Sequence, residues 1–332
     1  MRVVLLAVCV VLAGCGGKSG MPKVRLATLG VGLQTLHAPI SISEAMGYFK
    51  EEGLDVTLEN LPSNAKTLQA LIGGSVDVAG IHYMQTVQMA AEGQRLRTFF
   101  LMTHRGGFVL AVAPAASAKI RRVEDLKGSV IGVPSPGSPT HLNLNYFLLT
   151  HGIKPSEVST VGTGVAAAAV AAVESGRVDA AVLSGGDHFR LLRRNPALRI
   201  LMDTTTVAGM REAYGTDALP NGALAARQEW LDGNPDTARR LARALARANQ
   251  WILTHTPEEI RERFPEGLRS EDAAADIEII RWSLPTYTAG GRMPEGAPEA
   301  MKRVLDMTLD NVRNAKIDLG ATWTNAFLPE GK

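Results

Sequence analysis

Short apolar runs alternate along this chain with stretches that carry a helical period. Val24 to Leu29 reads as a strand, and Leu54 to Leu61 alternates apolar and polar residues as a half-buried strand does. Val76 to Ala79, Thr98 to Thr103 and Phe108 to Ala113 read as three more. Between them Pro39 opens a helix running to about Lys50 and closed by Gly53. Ser63 caps a helix over Ala65 to Ile72, and a further helix runs to about Ala91. Strands alternating with helices predict an α/β fold with largely parallel sheets.

The most informative stretch is Ile131 to Gly152. Val130 to Val133 is short and β-branched, so it reads as a buried strand, and Pro134 and Pro136 end it. Gly137 permits a tight turn, Ser138 is a good N-cap, and Pro139 sits where its missing N–H costs nothing. Leu142, Tyr146 and Leu149 share one apolar face, and Gly152 stops the helix. This predicts a helix N-terminus off the carboxyl end of a strand, with open N–H groups and the Ser138 and Thr140 hydroxyls around it. Such a place binds anions. The plainer alternative is that Ser138 only caps its own helix.

A short internal repeat sets the domain plan. Gly74-Ser75-Val76-Asp77-Val78-Ala79 matches Gly176-Arg177-Val178-Asp179-Ala180-Ala181, and each follows a strand and a small-residue helix. The two copies predict two similar lobes: residues 23–113 with 221–332 as the first, and 114–220 as the second. Asn221 to Arg227 reads as a strand returning to the first lobe. Beyond it the chain is helical over Pro235 to His255, Pro257 to Phe264, Glu271 to Ser283 and Pro298 to about Arg313. Trp230, Trp251, Trp282 and Trp323 all lie there and read as packing residues.

In open α/β sheets, ligands sit at the carboxyl ends of strands. Two facing lobes would bring four such ends together around a cleft that closes by hinge motion. The candidate ligand contacts are Gln34, Thr35 and His37, then Gly80 and His82, from the first lobe. Gly137, Ser138 and Thr140, with Ser184 and Asp187, come from the second. The hinge is expected near Ala113 to Lys119 and near Leu219 to Ala223. No arginine falls in these four loops, and Asp187 would repel a bare anion and suits an amine or a ring N–H.

Composition adds exclusions. A net charge of +2 over 332 residues argues against nucleic acid as a partner. The two cysteines are Cys9 and Cys15, so the rest of the chain has no disulfide, thiolate nucleophile or cysteine metal site. Both fall in an address segment. Arg2 is a short positive region, and Val3 to Leu12 is an apolar run too short to span a bilayer. Leu12-Ala13-Gly14-Cys15 follows, and then a polar tether to residue 22.

That tetrapeptide resembles the lipobox of bacterial lipoproteins, which implies cleavage after residue 14 and lipidation of Cys15. An ordinary cleaved signal is the alternative. The mature chain resembles the nitrate/sulfonate/taurine and thiamine-precursor family of ABC-transporter substrate-binding proteins. The residues carrying the likeness are 37–40 (His-Ala-Pro-Ile), 47–56 (Gly-Tyr-Phe-Lys-Glu-Glu-Gly-Leu-Asp-Val) and 125–133 (Asp-Leu-Lys-Gly-Ser-Val-Ile-Gly-Val), with 135–142 and 174–183. The resemblance implies a two-lobed type II periplasmic-binding fold, no cofactor, and a small solute delivered to a membrane permease and its ATPase. It also implies a lipid-anchored monomer in the periplasm or at the cell surface. Ligands in that family include nitrate, sulfonates, taurine-like amines and a pyrimidine.

Four rival signals need weighing. Gly162-Thr163-Gly164-Val165-Ala166-Ala167 fits a dinucleotide fingerprint, with Asp187 downstream. Thiamine-pyrimidine synthases share the fold and spend their own lysine and histidine, but residues 78–85 contain no lysine. Arg239, Arg243 and Arg247 stack at i, i+4 spacing, as a solvated face or a surface for membrane or permease. A ligand-sensing lipoprotein without transport would use the same cleft.

Overall fold

In a computed structural model of the chain, residues 20–30, 33, 35–165, 167–184 and 186–329 are described. Cys15, the signal segment and Gln34 lie outside the described residues. The strands in chain order are β1 (Lys23–Leu29), β2 (Asp55–Leu61), β3 (Val78–His82), β4 (Leu96–Leu101) and β5 (Phe108–Val112), then β6 (Val130–Val133), β7 (Ser159–Gly162), β8 (Ala180–Ser184), β9 (Ile200–Asp203) and β10 (Gly222–Arg227). They form two five-stranded sheets, ordered β2-β1-β3-β10-β4 and β7-β6-β8-β5-β9. The three leading strands of each are parallel, and the fourth runs antiparallel to the third.

The two orders are the same plan used twice, and the repeated Val-Asp shows why. The Asp77 carboxylate accepts the Arg25 amide N–H at 2.8 Å, while the Asp77 amide donates to the Arg25 carbonyl at 2.9 Å. Asp179 makes the same pair of bonds with Val130, each at 2.8 Å. In each lobe one aspartate therefore starts the central parallel pairing, Leu26 with Val78 and Ile131 with Ala180. Alanine or valine at that position would leave a strand-end N–H without its acceptor.

The fourth strand of the first sheet is delivered from across the molecule. β10 arrives after the second lobe and joins the first sheet, while β5 already belongs to the second sheet, pairing with β8. The expected lobe boundary at residue 113 is therefore corrected. The chain crosses between Leu101 and Phe108, and Ala113 to Lys119 lies within the second lobe. Pro114 marks the end of an apolar strand, and an apolar strand does not declare which sheet it enters. The return crossing at Leu219 to Ala223 stands where the pattern placed it.

The two crossings run side by side. Leu219 and Asn221 donate backbone N–H groups to the His104 and Thr103 carbonyls at 2.9 and 3.0 Å, and Met102 donates to Gly222 at 2.7 Å. Fully buried Asn249 braces them from the helix Pro235–Thr254, donating to the Met102 carbonyl at 3.3 Å.

Three helical expectations change in detail. The helix expected over Pro39 to Lys50 breaks at Gly47, whose φ of 72° ends Ala38–Ala45 before Tyr48–Glu51 begins. The arginine stack of Pro235–Thr254 lies on a half-exposed helix face and also pairs within the molecule. Arg243 pairs with Glu52 at 2.8 Å, and Arg247 pairs with Glu51 at 2.5 Å and lies 4.3 Å over the Tyr48 ring. The helix Pro139–Thr150 buries Leu144, Phe147 and Leu148 as well as Leu142 and Tyr146. Its second side is covered by the helix Ala297–Thr308, a partner that periodicity in Pro139–Thr150 could not announce.

Candidate functional site

The carboxyl ends of β1, β3, β6 and β8 are where the predicted contacts fall, and most of these residues are buried. On the first lobe, Thr35 to His37 form a short turn after β1, held by the Tyr287 hydroxyl donating to the Thr35 carbonyl at 2.5 Å. His37 is 2% exposed, with its Nδ1 3.2 Å from the Thr28 hydroxyl. Gly80 is inside β3, not in the loop beyond it. A Cβ there would come within 2.8 Å of Ile40 and 3.5 Å of the His37 ring, so Gly80 admits close packing.

His82 ends β3 and is held on both ring nitrogens. The Asn221 amide nitrogen donates to the Gly106 and Arg105 carbonyls at 3.0 and 3.3 Å, so the Asn221 oxygen faces His82. His82 Nδ1 then carries the proton and donates to it at 2.7 Å. Nε2 accepts from the Asn64 amide at 3.2 Å. Asn221 thus joins a cleft histidine directly to the crossing strand. Pattern reading missed both asparagines. The one available signal was their position, Asn64 opening the helix that follows β2 and Asn221 directly preceding the returning strand.

On the second lobe Ser138 is an N-cap, accepting the His141 N–H at 3.3 Å. His141 in turn accepts the Gly137 N–H on Nδ1 at 2.8 Å, and the Ser138 N–H donates to Ser135 at 3.1 Å. The open cradle expected here is therefore largely filled by the turn itself. Thr140 is buried, and among the described residues its hydroxyl bonds to no protein group. Ser184 pairs with Phe108 at the end of β8, and Asp187 opens the helix Asp187–Arg194 and is buried. The dinucleotide-like turn is committed to the sheet, since Thr163 and Gly164 donate to the Val133 and Pro134 carbonyls at 2.8 and 3.1 Å.

The lobes meet beside Asp187. Gly186, at φ 84°, lies where a Cβ would come within 2.6 Å of Ile279 on the helix Ala273–Ser283. Arg193 pairs with Asp272 at 2.9 Å, and Arg190 approaches buried Asp276 at 3.7 Å. Asp276 is held from its own lobe by Arg261 at 3.1 Å and by Ser270. The Trp282 ring centroid is 4.7 Å from that of His188 and 5.9 Å from that of Phe189. Trp282 is therefore an interlobe residue, a role different from the core packing expected of it. Arg105 on the crossing segment, outside the four loops, donates to the Thr205 carbonyl at 3.0 Å.

A pair of facing α/β lobes, joined by paired crossings and lined at the strand ends by buried polar groups, is the periplasmic-binding class of fold. A Bordetella bronchiseptica RB50 protein of known structure aligns with a TM-score of 0.81 and 33% identity, covering 92% of this chain and 95% of that one. The aliphatic sulphonate binding protein SsuA of Escherichia coli shares the fold at a TM-score of 0.73 and 17% identity, covering 92% and 99%. The taurine-binding periplasmic protein of Escherichia coli K12 is 26% identical over 68% of this chain and 66% of its own length. Residues 34–260 match the family described as NMT1/THI5 like, and the chain belongs to that family.

Burial keeps the cleft histidines neutral. It pushes His37 down to about 3, with His82 nearby adding to the effect, and it pushes His104 and His188 down to about 4. An unfolded histidine takes up its proton near pH 6.5, whereas these folded ones do not. Between about pH 6.5 and 4 the unfolded chain therefore binds more protons, and stability falls as pH falls. His37 alone contributes a slope of up to about 1.4 kcal/mol per pH unit in that window. Thermal unfolding followed from about pH 7 to pH 4.5 should show a steady drop, made shallower by His37→Gln. A melting temperature unmoved across that range would contradict the neutral assignment.

Proposed function

We propose that this protein is the solute-binding component of an ABC importer, taking a small solute between its lobes and presenting it to a permease and ATPase. The observation that carries this reading is the paired crossing with a cleft histidine tied to it: contact at His82 reaches the hinge through one side chain, Asn221. A hinged two-lobed molecule with polar groups from both lobes at the strand ends is built to close on a ligand. Taurine-, sulphonate- and nitrate-type relatives support a small solute as cargo.

We assign it binding without chemical conversion. Both His82 nitrogens are held by amides, so His82 is not free as a general base. The Leu12-Ala13-Gly14-Cys15 segment supports export and a lipid anchor on Cys15.

Two substitutions on one turn separate binding from folding. Thr140→Val keeps the shape and removes a hydroxyl that no protein group uses, so solute affinity should fall by roughly 0.5–1.5 kcal/mol with stability unchanged. Ser138→Ala removes the cap and should cost about 1 kcal/mol of stability. Calorimetric titration with taurine, ethanesulfonate and nitrate, beside thermal unfolding, checks both. Unchanged affinity in Thr140→Val for every solute that binds would place the ligand elsewhere. For the anchor, Cys15→Ala should move the protein from the membrane to the soluble fraction of cells. Equal membrane retention would refute lipidation at Cys15.

A further inference from the structure

We propose that Asn64 is a ligand-binding residue whose side-chain oxygen takes a hydrogen-bond donor from the solute, and that it selects amine- or ring N–H-bearing solutes over bare oxyanions. This rests on the solute-binding reading above and names the chemistry of its first-lobe half. The argument is a chain of forced orientations. The Asn221 amide nitrogen must face the Gly106 and Arg105 carbonyls, because two carbonyl oxygens cannot accept from a third. Its oxygen therefore faces His82 and requires the proton on Nδ1. Nε2 is left as an acceptor, so the amide nitrogen of Asn64 must face it. The Asn64 oxygen consequently points the other way, buried and, among the described residues, without a partner.

An unpaired buried carbonyl is costly, by an amount comparable to a lost hydrogen bond, unless something fills it. A second unpaired atom belongs to the same pair of strand ends. His37 lies over Gly80, and Gly80 shares its face of β3 with His82 two residues on. His37 Nε2 is buried with no partner. Both unpaired atoms belong to side chains that neighbour His82 at the carboxyl ends of β1 and β3. Nitrate and simple sulfonates carry no donor for the Asn64 oxygen. An ammonium or an aromatic amine does, and a site built to bond a donor rejects analogues that lack one.

Matched probes test this on the full chain by calorimetric titration: taurine against ethanesulfonate, and 4-amino-2-methylpyrimidine against 2,4-dimethylpyrimidine, with nitrate as a bare anion. In at least one pair the donor-bearing member should bind about tenfold or more tightly. Asn64→Ala should reduce that preference to near unity, weakening the donor-bearing member about tenfold more than its donor-free partner. A purely structural role would weaken both members alike, and that result overturns the proposal. So does binding confined to nitrate, ethanesulfonate or 2,4-dimethylpyrimidine, which leaves the solute-binding reading standing. Silence across all five probes counts against the solute-binding reading itself, and the proposal falls with it. A second readout needs no ligand. Long-range proton–nitrogen spectra should show His82 protonated on Nδ1 alone, and a proton on Nε2 would reverse the Asn64 amide and refute the assignment.

Discussion

Everything in this molecule depends on two chain segments that cross side by side. The second sheet, β5 to β9, lies wholly between the crossings, and the first sheet takes its antiparallel fourth strand, β10, from beyond the second crossing. The first lobe completes its sheet only after the chain has crossed to the second lobe and returned, so the two crossings join the lobes covalently. The bonds between Leu219 to Gly222 and Met102 to His104 make the crossings one ribbon. Asn221 then carries that ribbon's position to His82 through a single side chain. A hinge placed this way bends without disturbing either core, since the aspartate clips at Asp77 and Asp179 hold each parallel sheet independently.

Much of this plan was legible in the chain. The Val-Asp repeat marked both parallel cores, because the carboxylate has the same task at Arg25 and at Val130. The cap at Ser138 and the stop at Gly152 followed from local chemistry, and φ at Gly152 is 72°. What escaped was information that is not local. Phe108 to Val112 has the composition of any buried strand, and only its pairing with Ala180 to Ser184 places it in the second lobe. Trp282 sits among helical residues rich in core side chains, yet its ring meets His188 from the opposite lobe. Asn64 and Asn221 lie far apart in sequence and matter only because His82 stands between them. The helix N-terminus at Ser138 was read as more open than it is, because the His141 ring folds back on Gly137.

The contact between the helices Asp187–Arg194 and Ala273–Ser283 gives closure a physical surface. Ion pairs with half-exposed partners, such as Arg193 with Asp272, contribute little and are screened by salt. The close fit of Gly186 against Ile279 and the rings of Trp282, His188 and Phe189 contribute more through excluded water. A modest interface of this kind suits two states separated by a few kcal/mol, which a solute can then bias by its differential affinity.

Small-angle scattering of the full chain, alone and saturated with a solute that raises its melting temperature, measures closure most directly. The account predicts that the radius of gyration falls on saturation and that the liganded curve fits a molecule with Trp282 against His188. An identical radius in both states, with the solute shown to be bound, would contradict a cleft that closes on its ligand.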